Sequence, residues 1–379
     1  MNTKLRWLHL SSRNGDLPCP PGSAQQTMLL PGDFDRDGRT DFMLSCRGKA
    51  PGIVWYRPFS GGWTISIVEQ ENLPTEAGGI VYDIDRDGYP DIVAGNDWQG
   101  GKVYWWKNPG PSFDPYIPWK RFEIKSGGGH MHHDLIVDDF DGDGKPELVF
   151  WCQNDEKLYH APIPDDPTNQ PWQYRAIWEG KGEGLATGDI DGDGVNEILA
   201  GGKWFKRMSD DIFQPYVIDP EQTHPRIAAW DFNGDGRLEV VMVPGDTTGR
   251  LRYYECHTNP EITENWRYID LLGHDVIHGH TLQLADFNRD GNMDILCAEM
   301  AQWTEEAFVP DNPKAKMWIF FSDGAGGFVK EEIARGFGVH EARIIDVDGD
   351  GWQDIIVKPY CWDAPRIDIW MNKGFMEKG

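Results

Sequence analysis

Seven copies of one acidic loop recur along the chain and restrict what it can fold into. They read DFDRDGRTD, DIDRDGYPD, DFDGDGKPE, DIDGDGVNE, DFNGDGRLE, DFNRDGNMD and DVDGDGWQD, beginning at Asp33, Asp83, Asp139, Asp189, Asp231, Asp286 and Asp346. Each stands between two short apolar runs, such as ILAGG or DIIVK. A unit of about 50 residues repeated in this way marks an array whose modules bury their faces only against one another.

Oxygen donors occupy positions 1, 3, 5 and 9 of each loop. Gly at position 6 permits the sharp turn, and a backbone carbonyl at position 7 can complete the shell of a hard cation. The donors are Asp33, Asp35, Asp37 and Asp41; Asp83, Asp85, Asp87 and Asp91; Asp139, Asp141, Asp143 and Glu147; and Asp189, Asp191, Asp193 and Glu197. The remaining loops supply Asp231, Asn233, Asp235 and Glu239; Asp286, Asn288, Asp290 and Asp294; and Asp346, Asp348, Asp350 and Asp354. The expected ion is Ca²⁺, with Mg²⁺ second, structural in most loops and weaker where Asn233 or Asn288 drops a charge. An EF-hand is excluded, because it needs a bidentate Glu at position 12. That position is apolar in every copy: Leu44, Ala94, Phe150, Ala200, Met242, Cys297 and Val357.

The net charge of −26 has the same origin, since five loops of four carboxylates and two of three place 26 carboxylates at ligand positions. Such a surface repels nucleic acid and anionic membrane, and no Lys/Arg run offsets it. No apolar run approaches a transmembrane span. The six Cys lack CxxC spacing, so neither a zinc ribbon nor a disulfide framework is indicated. The opening MNTKLRWLHLSS has no apolar h-region or cleavage site of a secretory signal, whereas calcium loops suit an extracellular or periplasmic setting.

Each unit reads as four strands, in the second copy GIVYD, DIVAG, KVYWWKNP and WKRFEIK. The expectation is all-β: a single seven-bladed β-propeller over residues 1–379, with the first strand of each blade lining the axis. The last unit supplies only three strands. Residues 3–10, TKLRWLHL, resemble the outer strands and are expected to complete it, removing an open sheet edge. Trp55, Trp105, Trp106, Trp318 and Trp370 fall at third-strand positions and are assigned to blade packing. Trp98, Trp204, Trp303 and Trp362 follow second strands and are candidate platforms for sugar rings, with Arg47 beside them.

Function belongs to what does not repeat. Six residues before the first Asp of each loop stand Thr27, Ala77, His133, Glu183, Pro225, His280 and His340. Three His at one offset, with His130, His132, His224 and His278 nearby, cluster at the axial mouth opposite the acidic loops. His133, His280 and His340 are candidate ligands of Zn²⁺ or another divalent metal with open positions. The competing reading is a set of pore-lining residues bonded to water. Asp134 and Glu341 follow two of these His, but strand alternation points them away. Lys203, Glu299, Lys358 and Tyr360 lie in the same rim, and Lys358 or Tyr360, with His132 as alternative, is the candidate base for proton abstraction beside a carbonyl. No GxSxG, P-loop or GxGxxG pattern is present.

The loops resemble the FG-GAP/VCBS repeats of calcium-dressed propellers, which implies the fold without fixing a function. The segments HHDLIVDDFDGDG, HTLQLADFNRDG and HEARIIDVDGDG are similar to the propeller domain of fungal aldos-2-ulose dehydratases. That resemblance implies sugar dehydration at a metal site with His133, His280 and His340 as ligands. Propeller polysaccharide lyases offer a related precedent for β-elimination. The leading expectation is a carbohydrate-active lyase or dehydratase. A non-catalytic glycan- or protein-binding propeller is the second reading. Glycoside hydrolysis is the third, and would use Glu183 and Glu299 as its carboxylate pair.

Overall fold

After its leading carboxylate, the second strand of almost every repeat reads as a run of mainly apolar residues instead of alternating, and the fold explains why. In the computed structural model, which describes residues 4–22, 24–209, 212–304 and 307–375, these strands are sandwiched between blades on both faces. Every residue of Asp41–Arg47, Asp91–Gly95, Glu147–Cys152, Glu197–Ala200, Asp294–Ala298 and Asp354–Lys358 is buried. The outermost strands have one neighbour fewer, and Arg267–Asp270 is exposed along its length.

Seven four-stranded antiparallel sheets make seven blades. Their first strands are Gln25–Gly32, Ile80–Tyr82, Leu135–Asp138, Leu185–Gly188, Pro225–Trp230, Thr281–Ala285 and Glu341–Ile345, for blades 1 to 7 in order. Each pairs with the second strand across its acidic loop, as in Asp138 opposite Glu147 and Ile345 opposite Asp354. The protein is a seven-bladed β-propeller. No helix of the described residues is long and apolar enough to cross a membrane.

One apolar cluster fills each of the seven blade interfaces among the described residues. Because successive side chains of a strand point to opposite faces, Trp105 packs toward blade 3 and Trp106 toward blade 1. Trp55, Trp105, Trp106, Trp318 and Trp370 are all buried.

The ring closes through the N-terminus. Leu5–Ser11 pairs antiparallel with Asp368–Phe375, setting Leu8 opposite Met371 and His9 opposite Trp370, and becomes the fourth strand of blade 7. The strand starts two residues later than the TKLRWLHL pattern suggests, and Thr3 lies outside the described residues. Leu5 is 1% exposed in the blade 6–7 interface, whereas Leu8 is 49% exposed on the same strand. Leu5→Ala is therefore expected to cost about 2–4 kcal/mol of unfolding free energy. Leu8→Ala should stay within about 0.5 kcal/mol. Urea denaturation of the two variants checks that the closing strand is held by its inward face.

Candidate functional site

The acidic loops and the axial mouth lie at opposite ends of the first strands. Each loop is organised by its own carboxylates. The position-9 carboxylate accepts from the backbone N–H of position 2 in all seven copies, at 3.3 Å in Asp41 and 2.8 Å in Glu197 and Glu239. The position-1 Asp accepts from the Gly N–H at position 6 in every copy, at 2.8–3.1 Å. The position-5 Asp caps the N–H of position 7, again in all seven. The second lone pairs stay available. Asp139, Asp141, Asp143 and Glu147 bring one oxygen each within 4.8 Å of one another, and the buried Asp33 Oδ1 and Asp85 Oδ1 have no hydrogen-bond partner. These sets fit a hard divalent ion.

Position 3 divides the loops. Where it is Asp, a cationic side chain reaches it: Arg57 to Asp35 at 3.7 Å, Arg207 to Asp141 at 3.0 Å, Lys107 to Asp85, Lys206 to Asp191 and Lys373 to Asp348. Where it is Asn, the amide instead donates to a loop carboxylate, Asn233 to Glu239 at 2.8 Å and Asn288 to Asp290 at 2.9 Å.

At the other end, the inner strands of blades 3 to 7 bring a compact charged cluster onto the axis. His133 Nε2 and His280 Nε2 stand 3.7 and 3.6 Å from Glu183 Oε1. Those spacings are close to the ~3.3–3.6 Å that separates ligands of a tetrahedral ion with bonds of about 2.0–2.2 Å. Both imidazoles are aimed by their other nitrogen. His133 Nδ1 meets Asp134 Oδ2 at 2.9 Å, and His280 Nδ1 meets the His340 carbonyl at 3.0 Å. This is the outer support that metal-binding imidazoles require. Arg226 occupies the point of convergence: Nη2 lies 2.6 Å from Glu183 Oε1, 2.8 Å from His280 Nε2 and 3.4 Å from His133 Nε2. Its Nη1 donates to both oxygens of Asp134 at 2.7 Å. The contact with Glu183 is an ion pair and not an aligned hydrogen bond, which is why Glu183 Oε1 is also without a hydrogen-bond partner.

Electrostatics follow from this packing. Burial opposes the charge on His133, but Asp134 and Glu183 outweigh it and raise the imidazole to about 9. Burial pushes Glu183 up to about 7 against the pull of His133 and Arg226. Burial would raise Asp134 too, yet Arg226 and His133 hold it far below the carboxylate range. Burial and then Arg226 keep His280 neutral.

His340 takes a different part from the one its offset suggests. Its ring stacks on His280 at 4.2 Å and stands 5.0 Å from Tyr360, while Nδ1 contacts Lys358 Nζ. The third donor beside His133 and His280 is thus Glu183, at the same offset in blade 4. Lys358 is fully buried, donates to the Gln26 carbonyl at 3.0 Å and lies 3.6 Å from Glu341. Burial lowers it to about 7, ahead of the opposing attraction of Glu341. Below the cluster, a cavity of about 40 Å³ lined by Arg226, His280 and Glu341 leads toward a larger one of about 340 Å³ that shares Gly78, Asp134 and Arg343.

Other expected site residues lie elsewhere. His132 is fully buried between Lys125 Nζ (3.3 Å) and the Trp151 carbonyl (3.1 Å), because His133 takes the axial side. Glu299 is spent on the Ile277 and Lys316 N–H groups, each at 3.0 Å, so the Glu183–Glu299 pair of a glycoside hydrolase is absent. Lys203 caps the Gly201 carbonyl at 3.2 Å and lies over the Trp178 ring. Arg47 is buried against Glu76 (2.8 Å) and Asp97 (3.5 Å), with its guanidinium over Tyr360 at 5.5 Å, so it supports that ring instead of facing solvent. Trp204 belongs to the third strand Lys203–Ser209, fully buried and stacked on Tyr216, and cannot serve as a platform. Trp98 is 59% exposed and Trp362 partly so, while the side chain of Trp303 lies outside the described residues.

Alternation points Asp134 away from the axis, and the structure turns it back. Asp134 has φ +48°, which breaks the extended strand and turns its carboxylate back to His133 and the axis. Gly78, at φ +91°, makes room for it: a Cβ there would meet Asp134 Cα at 2.7 Å. The signal was available one residue further along each repeat, where Asp134, Arg226 and Glu341 carry charge.

A family model described as FG-GAP-like repeat matches residues 83–150, 139–200 and 231–297. Those segments are similar to FG-GAP-like repeats. No curated protein matches this chain. Among solved structures it is similar to streptogramin B lyase, at 11% identity and TM-score 0.58 over 97% of this chain and 98% of that one. It is also similar to BBS1N in complex with ARL6DN, soaked with mercury, at 11% identity and TM-score 0.58 over 96% of each chain. The exotype rhamnogalacturonan lyase YesX aligns at 14% identity and TM-score 0.49 over 95% of this chain and 76% of that one. Likeness at such identity speaks for the fold alone.

The loops make a prediction about pH. Without a bound cation, burial first and neighbouring acids after it raise the position-9 carboxyls: Asp41 and Asp91 to about 8, Glu147, Glu197, Glu239 and Asp294 to about 7, and Asp354 to about 6. A carboxyl raised on folding contributes stability that is full below its unfolded value, near 4, and is lost as pH climbs through the folded value. In chelator, the melting temperature should fall as pH rises from about 5 to about 8, by several degrees in total. Excess Ca²⁺ should abolish most of that slope. A chelated protein whose melting temperature rises with pH over this window would overturn the assignment.

Proposed function

We propose that the protein is a carbohydrate-active lyase or dehydratase that eliminates water or a sugar alkoxide next to an acidified C–H at the axial mouth. A divalent metal held by His133, Glu183 and His280 serves the reaction, and calcium fastens the acidic loops. The observation that carries this reading is the Lys358–His340 pair beside the His133–Glu183–His280 centre. A buried amine lowered to about 7 contacts the Nδ1 of an imidazole that burial and Lys358 keep neutral.

The pair works as a tautomer selector. A charged Lys358 can only donate, so His340 Nδ1 must accept and Nε2 carries the proton. A neutral Lys358 can accept from Nδ1–H, which leaves the Nε2 lone pair free as a general base. Lys358 is thus a positioning residue, buried too deeply to touch substrate, and His340 is the base. His340 Nε2 takes the proton from carbon, the electron pair forms the new double bond, and the adjacent C–O bond breaks. Burial raises Tyr360, so it is protonated at neutral pH and suited to give its proton to the leaving oxygen. The metal, when bound, supplies Lewis-acid stabilisation of the enolate charge. The cavity of about 40 Å³ has room for a water or an ion and no more. Enclosed small-molecule pockets run to about 300–1,000 Å³, so the sugar lies across the mouth, where the exposed Trp98 offers an apolar face. The same small cavity favours the second reading, a glycan- or protein-binding propeller without chemistry.

The test is ultraviolet absorbance of an unsaturated product from uronate polysaccharides and keto-sugars. Turnover should rise with pH to a plateau through an apparent pKa near 7. His340→Ala should reduce kcat by about 10²–10⁴-fold, the usual scale for loss of a general base. Lys358→Met should lower kcat and remove the pH dependence, which a purely structural lysine would not do. Absence of product from every substrate, with glycan retained on an affinity gel, would favour the binding module instead.

A further inference from the structure

We infer that Arg226 and a divalent transition metal exclude one another at the axial centre, so that the guanidinium is an internal competitor setting the centre's metal occupancy. This rests on His133, Glu183 and His280 forming one donor set, as proposed above, and not on the elimination chemistry.

The three donor atoms share one partner. His133 Nε2, Glu183 Oε1 and His280 Nε2 all face Nη2 of Arg226, at 3.4, 2.6 and 2.8 Å. A metal bound to those atoms would stand where Nη2 stands, so the two cations compete for space as well as for charge. The donors do not owe their placement to Arg226. Asp134 and the His340 carbonyl aim the two imidazoles through Nδ1, and Gln153 Nε2 donates to the other Glu183 oxygen at 3.3 Å. Arg226 has a second anchor that survives its displacement, because Nη1 is held by both oxygens of Asp134. Asp134 is itself fixed by the Gly184 N–H at 3.0 Å. The buried Nε of Arg226 has no partner, so rotation of the guanidinium breaks no bond there. Metal entry must expel the guanidinium from the centre.

The experiment uses the full chain with Ca²⁺ in excess, so that the acidic loops are not read. Co²⁺ is titrated while the visible d–d absorption of imidazole-ligated, tetrahedral Co²⁺ is followed. Arg226→Gln should bind Co²⁺ about tenfold or more tightly than wild type, on the scale by which groups around a metal tune its affinity. The double variant Arg226→Gln/Asp134→Asn, which leaves no unpaired buried carboxylate at 134, should do the same if the single variant folds poorly. Adding His280→Ala to Arg226→Gln should abolish the band. Equal or weaker binding in both arginine variants overturns the competition while leaving the metal centre standing. A band indifferent to His280→Ala, or none in any protein, overturns both the competition and the donor set. Turnover, measured separately, reports on the elimination reading.

Discussion

Everything in this propeller hangs from hydrogen bonds between loop carboxylates and the loop's own backbone. In each repeat, position 9 holds the N–H of position 2 and position 1 holds the N–H of position 6, as Asp41 does for Phe34 and Asp33 for Gly38. These charge-assisted bonds turn the chain sharply between the first and second strands and set their register. With the register set, the second strand presents apolar side chains to both neighbouring blades, and the interface clusters form. The carboxylates are a structural device before they are ligands. The cation proposed for these loops would only neutralise charge that the turn has already gathered, and five position-3 aspartates have a lysine or arginine doing part of that work.

Much of the fold was legible because repetition averages out local ambiguity. One DxDxDG turn says little, but seven in register define blades, axis and faces, and residues at one offset become neighbours in space. That reasoning found His133, Glu183, His280 and His340, all on the axial cluster. It failed where local backbone departs from the repeat. The positive φ of Asp134 turned a carboxylate inward that alternation had sent outward. Trp204 entered its strand at once after the Gly201–Gly202 turn, so a residue expected on the rim became core. The arginine at 226 was passed over because a centre of imidazoles suggested a metal and no arginine was sought among them.

The axial cluster differs from the loops in dielectric and hence in energetics. At the loops, carboxylates are partly hydrated and ion pairs there are worth little individually. At the axis, Glu183 and Lys358 are fully buried and His133, His280 and His340 nearly so. An unpaired charge there is costly, and each ionisation state is set by its neighbours. This is why His133 and His280, 5.6 Å apart and on equivalent strands, are driven in opposite directions. His133 has Asp134 against Nδ1, whereas His280 has the His340 carbonyl there and Arg226 within reach of both ring nitrogens.

A scaffold that is rigid because it repeats allows irregular residues to be costly. Burying three carboxylates, an arginine, a lysine and several imidazoles on one axis would strain a small core. Here seven apolar interfaces and a closed ring carry stability independently of the channel. The inner strands can then give up apolar residues at positions 133, 183, 226, 280 and 340 without losing their register, which is held at the far end by the acidic loops. The same separation explains why charge in the loops and charge at the axis answer to different partners. Loop acids lie beside strand lysines and arginines at the solvent-facing end, and axial acids lie beside Arg226, Arg343 and Lys358 within the protein. Each charged end of the inner strands is balanced locally, so a change in one need not be felt at the other.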